Sequence, residues 1–253
     1  MDTKQIVAQL YTLRNYCKTA NDLAETFKKV KNIGYEAVQV SAIGPIDPVQ
    51  VKKLADKEGL KIAATHVSYD RIKNDFDALV KEHKLWECEY IGLGGMPGQY
   101  RTSKEGFKTF AKEFSEIAKR FQDNGLSFIY HNHNFEFEKF DGVTGMEILL
   151  KETNPTTFNF EIDTYWVQAG GANPTDWVKN VKGRMDVVHF KDMAIVNGKQ
   201  VYAEIGQGNL NWSSIINACK EIGVKWYCVE QDECLRDPFE SMAISFEYLK
   251  NAN

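Results

Sequence analysis

No stretch of this chain approaches the roughly 18 consecutive apolar residues that a membrane-spanning helix needs, so no membrane partner is expected. The start, MDTKQIVAQL, lacks a basic segment followed by a long apolar one. It therefore reads as cytoplasmic rather than secreted, unless an upstream signal peptide precedes this sequence. Its five cysteines, Cys17, Cys88, Cys219, Cys228 and Cys234, are odd in number and irregularly spaced, with no C-x-x-C. That argues against a disulfide framework and against a thiolate zinc site. There is no basic excess either. The formal charge is −4 and is spread along the chain, whereas a duplex nucleic-acid binder carries a basic face, so no nucleic-acid partner is expected. No Pro/Gly/Ser-rich linker and no low-complexity segment divides the chain, so residues 1–253 are expected to form a single domain.

What is present is a recurring punctuation. Polar amphipathic stretches end in Gly34, Gly59, Gly125, Gly183 and Gly223, and an apolar run follows each within a few residues. Glycine just past a helix closes it in a left-handed conformation. The stretches before these glycines carry apolar residues at helical spacing: Leu23, Phe27 and Val30 in one, Phe107, Phe110, Phe114, Ile117 and Phe121 in another. Thr102-Ser103-Lys104-Glu105 reads as a capping box opening the second of these. Asp47-Pro48 and Asp237-Pro238 each read as an N-cap followed by proline at the first helical position.

Eight strand candidates alternate with these helices: residues 7–13, 37–42, 62–67, 90–94, 127–133, 158–164, 186–190 and 226–230. A helical segment is expected after each. Eightfold strand–helix alternation predicts an α/β fold, a closed (β/α)8 TIM barrel. The open doubly wound sheet is the runner-up, but it would want a glycine-rich phosphate turn after the first strand, and QLYTLRNYC has none.

In such a barrel the functional site lies at the C-terminal ends of the strands. Those ends should hold small or apolar residues if they only pack. Instead they carry Gln9, Tyr11 and Arg14, then Gln39, then His66. His131 and His133 follow, with Glu136 beyond, and then Glu161, Asp163 and Trp166. The last two strands add His189, Lys191 and Asp192, and Glu230 and Asp232. Taken singly these are weak signals: a lone His66 is more often a packed residue, and Asp163 also reads as the cap of the next helix. Taken together, strands five to eight bring His, Asp, His and Glu to one rim, a set of imidazole and carboxylate donors suited to one divalent ion such as Mn²⁺, Zn²⁺, Co²⁺ or Mg²⁺. Asp192 and Asp232, just beyond those positions, are expected to orient ligands or bind hydroxyls.

At these residues the chain resembles the sugar phosphate isomerase/epimerase group of the xylose-isomerase-like barrel superfamily. The likeness is most specific in FEIDTYWVQAGGANPTDWV, GRMDVVHFKDM, EIGQGNLNW and WYCVEQDE. It implies one divalent ion held by four ligands from strands five to eight, usually Glu, Asp, His and Glu. Asp163, His189 and Glu230 match the last three. Strand five departs from the pattern with His131-Asn132-His133, as do branches resembling inosose dehydratases and keto-sugar-processing enzymes. His133 is the favoured ligand and His131 the base or substrate contact, with the reverse assignment open and Glu136 or Glu161 as further donors.

The resemblance implies a carbohydrate-metabolising isomerase or epimerase that acts on a small-molecule ketose or keto-sugar. Its metal would polarise the carbonyl while His131 or Glu230 removes the α-proton to give an enediolate. Gln9, Arg14, Gln39, His66, Glu136, Glu161, Trp166, Lys191 and Asp192 are the candidate sugar contacts. Two other reactions compete, elimination from a keto-inositol or keto-glycoside and abasic-site DNA repair. So does a non-catalytic sugar-binding barrel, which would be expected to have lost a ligand. Members of this group are often dimers or tetramers, so a homo-oligomer is left open.

Overall fold

Each helix read from the sequence ends where its glycine turns the backbone: Gly34, Gly59, Gly125, Gly183 and Gly223 all have positive φ in the computed structural model, which describes residues 1–252. Asp47 and Asp237 cap their helices as expected, each with proline at the helix start. The capping box at 102–105 does not form. Ser103 is the N-cap, which makes Gly106 the third helical residue, so no side chain is there to reach back. Glu105 instead pairs with Lys108.

Eight parallel strands form the sheet: Ile6–Gln9, Ala37–Val40, Lys61–Val67, Tyr90–Leu93, Ser127–His131, Phe158–Glu161, Val187–Phe190 and Trp226–Val229. They pair in sequence from first to sixth, and the eighth lies between the first and the seventh. The sixth and seventh close the ring through a single parallel bridge between Asp163 and His189, where the His189 N–H donates to the Ile162 carbonyl at 2.9 Å. This is the expected TIM barrel.

Helices clothe the outside. The helix Lys104–Asp123 buries Phe107, Phe110, Phe114, Ile117 and Phe121 along one stripe. Phe110 stacks on Phe114 with centroids 4.3 Å apart and meets Tyr130 of the fifth strand at 5.3 Å. Each such ring contributes about 1.5–3 kcal/mol by leaving water, which is what holds the helix against the sheet.

Inside the barrel sits a separate, smaller plug built from Val7, Ala37, Ala63, Ala64, Tyr90, Ile129, Val187 and Cys228. Strand side chains alternate faces, so the residue two further on points into the same lumen, one layer nearer the C-terminal mouth. From Val7, Ala37, Ala64, Tyr90, Ile129, Val187 and Cys228 those residues are Gln9, Gln39, His66, Gly92, His131, His189 and Glu230. The plug therefore predetermines the polar layer above it.

Two features were not anticipated. A hairpin, Asp192–Val196 with Lys199–Ala203, precedes the helix after the seventh strand, and a shorter one pairs Lys139–Phe140 with Val143–Thr144 after the fifth. Each turns on a dipeptide with both φ angles positive, Asn197-Gly198 and Asp141-Gly142. These are the residues a tight hairpin turn demands.

His83 ties the helix Phe76–Leu85 to the third strand. Its Nδ1 lies 2.8 Å from the Leu79 carbonyl and its Nε2 2.8 Å from the Thr65 hydroxyl. Burial lowers its pKa to about 4, against a small opposing pull from the Leu79 carbonyl. The folded state therefore favours the neutral ring. Its contribution is complete above pH 6.5 and is lost as pH falls toward 4, at about 1.4 kcal/mol per unit, or about 3 kcal/mol in all. We expect urea denaturation between pH 7 and 4.5 to show a steeper loss of stability in the wild type than in His83→Gln. Equal slopes would refute this role.

Candidate active site

The polar layer converges on four buried donors. His131 Nε2 lies 3.2 Å from Asp163 Oδ2 and 4.0 Å from Glu230 Oε2. His189 Nδ1 lies 3.0 Å from Glu230 Oε2 and 4.0 Å from Asp163 Oδ2. All four atoms fall within 4.8 Å of one another. With ligand bonds of about 2.1 Å, neighbouring donors around one ion stand about 3.0–3.4 Å apart and opposite ones about 4.2 Å. The set thus fits a single small divalent cation and could hold one. Burial, with His189 and His66 nearby, pushes the His131 imidazole well below its ordinary pKa, so it is neutral, as a ligand must be.

Asp163 divides its oxygens. Oδ1 accepts from the Trp166 N–H at 2.9 Å and caps the helix Thr164–Ala169, while Oδ2 faces the cluster. Its own N–H donates to Asn132 Oδ1 at 3.0 Å. The cap reading and the donor reading of this residue therefore both hold geometrically.

Behind the cluster lies a layer that fixes His189. Its Nε2 is 2.7 Å from Gln39 Oε1 and 3.1 Å from Glu161 Oε1. Gln39 Nε2 donates to the same Glu161 oxygen at 2.8 Å, and His66 Nε2 meets the other oxygen. With Nε2 engaged on this side, Nδ1 is aimed at Asp163 and Glu230. Burial opposes ionisation of Glu161, but His189 and His66 hold its carboxyl well below the usual range. Burial also opposes the His189 imidazolium, yet Glu161 and Glu230 raise its pKa to about 10. Gly92 makes room for this layer: a Cβ there would stand 2.8 Å from the His66 ring and 2.5 Å from the Thr65 carbonyl.

Lys191 is fully buried and reaches Asp232 at 2.7 Å, Glu230 at 3.3 Å and Asp163 at 3.6 Å. Burial would drive off its proton, but these three carboxylates keep it charged. Burial likewise opposes ionisation of Glu230, and Lys191 and His189 overcome it, holding the carboxyl well below its usual value. Asp163 goes the other way, raised by burial and by Glu230 beside it.

A cleft of about 430 Å³ opens over the cluster, lined by Tyr11, His66, Arg101, His131, His133, Glu230 and Asp232 among others. His133 lines its wall and does not join the four donors. The fifth strand ends at His131, so the two-residue alternation stops there. The His133 N–H donates instead to Glu136 Oε2 at 2.9 Å. Its ring packs between Phe135 and Trp166, and burial, with His131 beside it, lowers its pKa to about 3. His133 Nδ1 and Trp166 Nε1 are both buried without a partner among the described residues.

Other expected contacts do not line the cleft. Glu136 accepts from the Tyr130 hydroxyl at 2.6 Å as well as from His133, and burial raises its pKa to about 7. Gln9 is fully buried, with Oε1 accepting from the Tyr11 N–H. Arg14 donates to the carbonyls of Tyr11 and Asp232, each at 2.8 Å. Arg101 was missed, because it stands in the loop after the fourth strand rather than at the end of an apolar run.

The profile of the xylose isomerase-like TIM barrel family matches residues 27–252. A solved sugar phosphate isomerase/epimerase from Parabacteroides distasonis ATCC 8503 is 26% identical, with 98% of each chain covered and a TM-score of 0.83. A second structure of that description from the same organism is 24% identical, covering 100% of this chain and 95% of the other at a TM-score of 0.82. A D-allulose 3-epimerase from Methylomonas sp. is 17% identical over 98% of each chain, with a TM-score of 0.72. No curated protein sequence matches significantly.

Asp192, expected to contact substrate, spends its carboxylate elsewhere. Oδ1 accepts from Met193 N at 2.8 Å and Leu210 N at 3.3 Å. Oδ2 accepts from Gly206 N at 2.9 Å, Gly208 N at 3.1 Å and Trp212 Nε1 at 2.6 Å. It pins the 206–212 loop against the seventh strand. Asp192→Ala leaves these donors unpaired and should cost about 3 kcal/mol or more. Hydrogen exchange should show the amides of Gly206, Gly208 and Leu210 losing protection first; unchanged exchange there would contradict the assignment.

Proposed function

This chain belongs to the xylose isomerase-like TIM-barrel family, and from that premise we propose that it is a divalent-metal-dependent sugar isomerase or epimerase acting on a ketose or keto-sugar through an enediolate. The supporting observation is the single cluster of His131, Asp163, His189 and Glu230, whose donor atoms have the mutual spacing of one ion's ligand shell. In this reading His131 is the fifth-strand ligand and His133 a substrate contact, the reverse of the assignment favoured from sequence. Mn²⁺, Co²⁺, Zn²⁺ and Mg²⁺ all suit two imidazoles and two carboxylates, and an ion held by these four residues would supply Lewis-acid polarisation of a substrate carbonyl.

The side chains do the rest. Glu230 lines the cleft beside the other donors and serves as the base that takes the α-proton. Lys191, 3.3 Å away, balances its charge and that of Asp163. Gln39 and Glu161 fix the orientation of His189. His133, neutral and with a free ring nitrogen, hydrogen-bonds a sugar hydroxyl, as does the free Trp166 N–H. His66 lines the cleft and is held by Glu161.

Elimination is the second reading, and His131 is what favours it. Epimerisation by paired glutamates of strands five and eight is not available here, because the fifth-strand donor is an imidazole. One base on one face suffices to remove an α-proton and expel a β-hydroxyl or aglycone.

Two measurements test this. After dialysis against Mn²⁺, about one ion per chain should bind to the wild type, none to Asp163→Ala, and roughly 10-fold more weakly to Glu161→Gln. Absence of stoichiometric metal in the wild type, with Co²⁺ and Zn²⁺ also tried, would reject the metal-dependent mechanism. In D₂O, deuterium should enter the α-carbon of a converted keto-sugar. Incorporation with the carbon skeleton's substituents intact means isomerisation or epimerisation, and loss of water or aglycone means elimination.

A further inference from the structure

Arg101 closes the short turn Gly98–Tyr100 after the fourth barrel strand and lines the cleft. Its Nε donates to the Met96 carbonyl at 2.6 Å. Its guanidinium carbon lies over Phe135, 3.9 Å from the ring centroid, and Phe135 in turn stacks on His133 at 5.7 Å and 16°. One hydrogen bond and one ring thus hold the fork in place. Its two terminal nitrogens have no hydrogen-bond partner and no carboxylate within ion-pair distance among the described residues. Glu136, whose carboxyl feels the charge of Arg101, already spends both oxygens on Tyr130 and His133.

The other cations of this rim are occupied. Lys191 is shared by Asp232, Glu230 and Asp163, Arg14 is bound to two carbonyls, and His189 lies between Glu161 and Glu230. Arg101 is therefore a preorganised cation in a substrate-sized cleft, with its bidentate edge unused. Planar forks of this kind match carboxylates and phosphates. One positive charge balances a carboxylate, whereas a phosphate ester near neutral pH carries almost two negative charges and would call for a second free cation.

We propose that Arg101 binds a carboxylate carried by the substrate, so that the natural substrate is a keto-sugar acid. This rests on the sugar-processing reading above and narrows its substrate class.

The test is calorimetric titration of Mn²⁺-loaded and metal-free protein with D-fructuronate, 2-keto-D-gluconate, D-fructose and D-fructose 6-phosphate. These carry the charge at either end of the chain, nowhere, or as phosphate. We expect at least one acid to bind the wild type 30-fold or more tighter than D-fructose. That ratio should fall to within threefold in Arg101→Met, which keeps the apolar stem over Phe135, and be partly retained in Arg101→Lys. D-Fructose should bind all three proteins alike. Acids no tighter than D-fructose, a ratio that survives Arg101→Met, or no binding by any of these sugars would overturn the proposal. So would tightest binding by D-fructose 6-phosphate that depends on Arg101, which would reassign the fork to phosphate. Failure of the metal-dependent reading is separable: it appears as absent Mn²⁺ binding, while the acid-to-neutral ratio is still measured in the metal-free protein.

Discussion

The rim of this barrel depends on compensating charge that is buried. Glu161, Asp163 and Glu230 are each almost completely removed from water within one layer of side chains. At about 4 Å and an effective dielectric of about 20, a single like-charge contact costs about 4 kcal/mol. The protein offsets this with the buried Lys191 ammonium, placed between Asp163 and Glu230, and with the His189 ring, whose two nitrogens face Glu161 and Glu230. Removing one partner from such a network leaves an uncompensated buried charge, so the layer is constrained as a unit. The same constraint accounts for the divergence within it: Glu161, beside His189 and His66, and Glu230, beside Lys191 and His189, stay ionised more easily than usual, and Asp163, which has Glu230 for a neighbour, less easily.

The layer also lies on the seam that closes the barrel. Seven of the strand junctions are ladders, one of them shifted in register between Val38 and Gln39, but the sixth and seventh strands are joined by the isolated Asp163–His189 bridge. Both residues are candidate ligands. Backbone groups that a longer ladder would have paired are taken up by side chains instead: Asn132 accepts from the Asp163 N–H, and the Thr164 hydroxyl lies between the carbonyl and the N–H of Lys191. Below the seam, the buried Arg184 guanidinium binds the Phe158 carbonyl, the Leu150 carbonyl and Thr153, holding the sixth strand's base where the rim needs it. Regular pairing thus gives way where side chains must face a common point, while the frame beneath stays fixed.

Much of this was legible because two-residue alternation in short strands leaves few choices. Once the strands were found, Asp163, His189 and Glu230 followed from strand ends, and so did the barrel. Alternation misled at His133 because it was extended past the point where the strand stops. Asn132 and Glu136 draw the chain out of the ladder there, and a side chain's pairing with a backbone N–H is not visible in periodicity. The bonding of Asp192 was not legible for a related reason: four of the five donors on it come from a loop 14 to 20 residues away, beyond any local pattern. The hairpins were legible in Asn197-Gly198 and Asp141-Gly142 and were passed over because helices were expected after every strand. Arg101 had no such signal, since a loop residue acquires its meaning from what surrounds it.

The barrel's plug explains why the cleft lies where it does. On the second and third strands the inward residues are small, Ala37, Ala63 and Ala64; the fourth contributes Tyr90 to the plug and, one layer higher, Gly92, which leaves space. On the fifth and seventh they are Ile129 and Val187, branched and larger. The floor is therefore uneven, and the four donors stand on its other side, on the strands from the fifth to the eighth. Open space and loop-borne contacts such as Ser41, Gly94, Gly95 and Arg101 come from the second to fourth strands. The cleft is thus walled on one side by the donors with His133, and on the other by the loops after the second to fourth strands. Substitutions in the loops after strands two to four can reshape what the cleft accepts without touching the balanced charges opposite. The reverse does not hold, because every donor there is tied to at least one other buried charge.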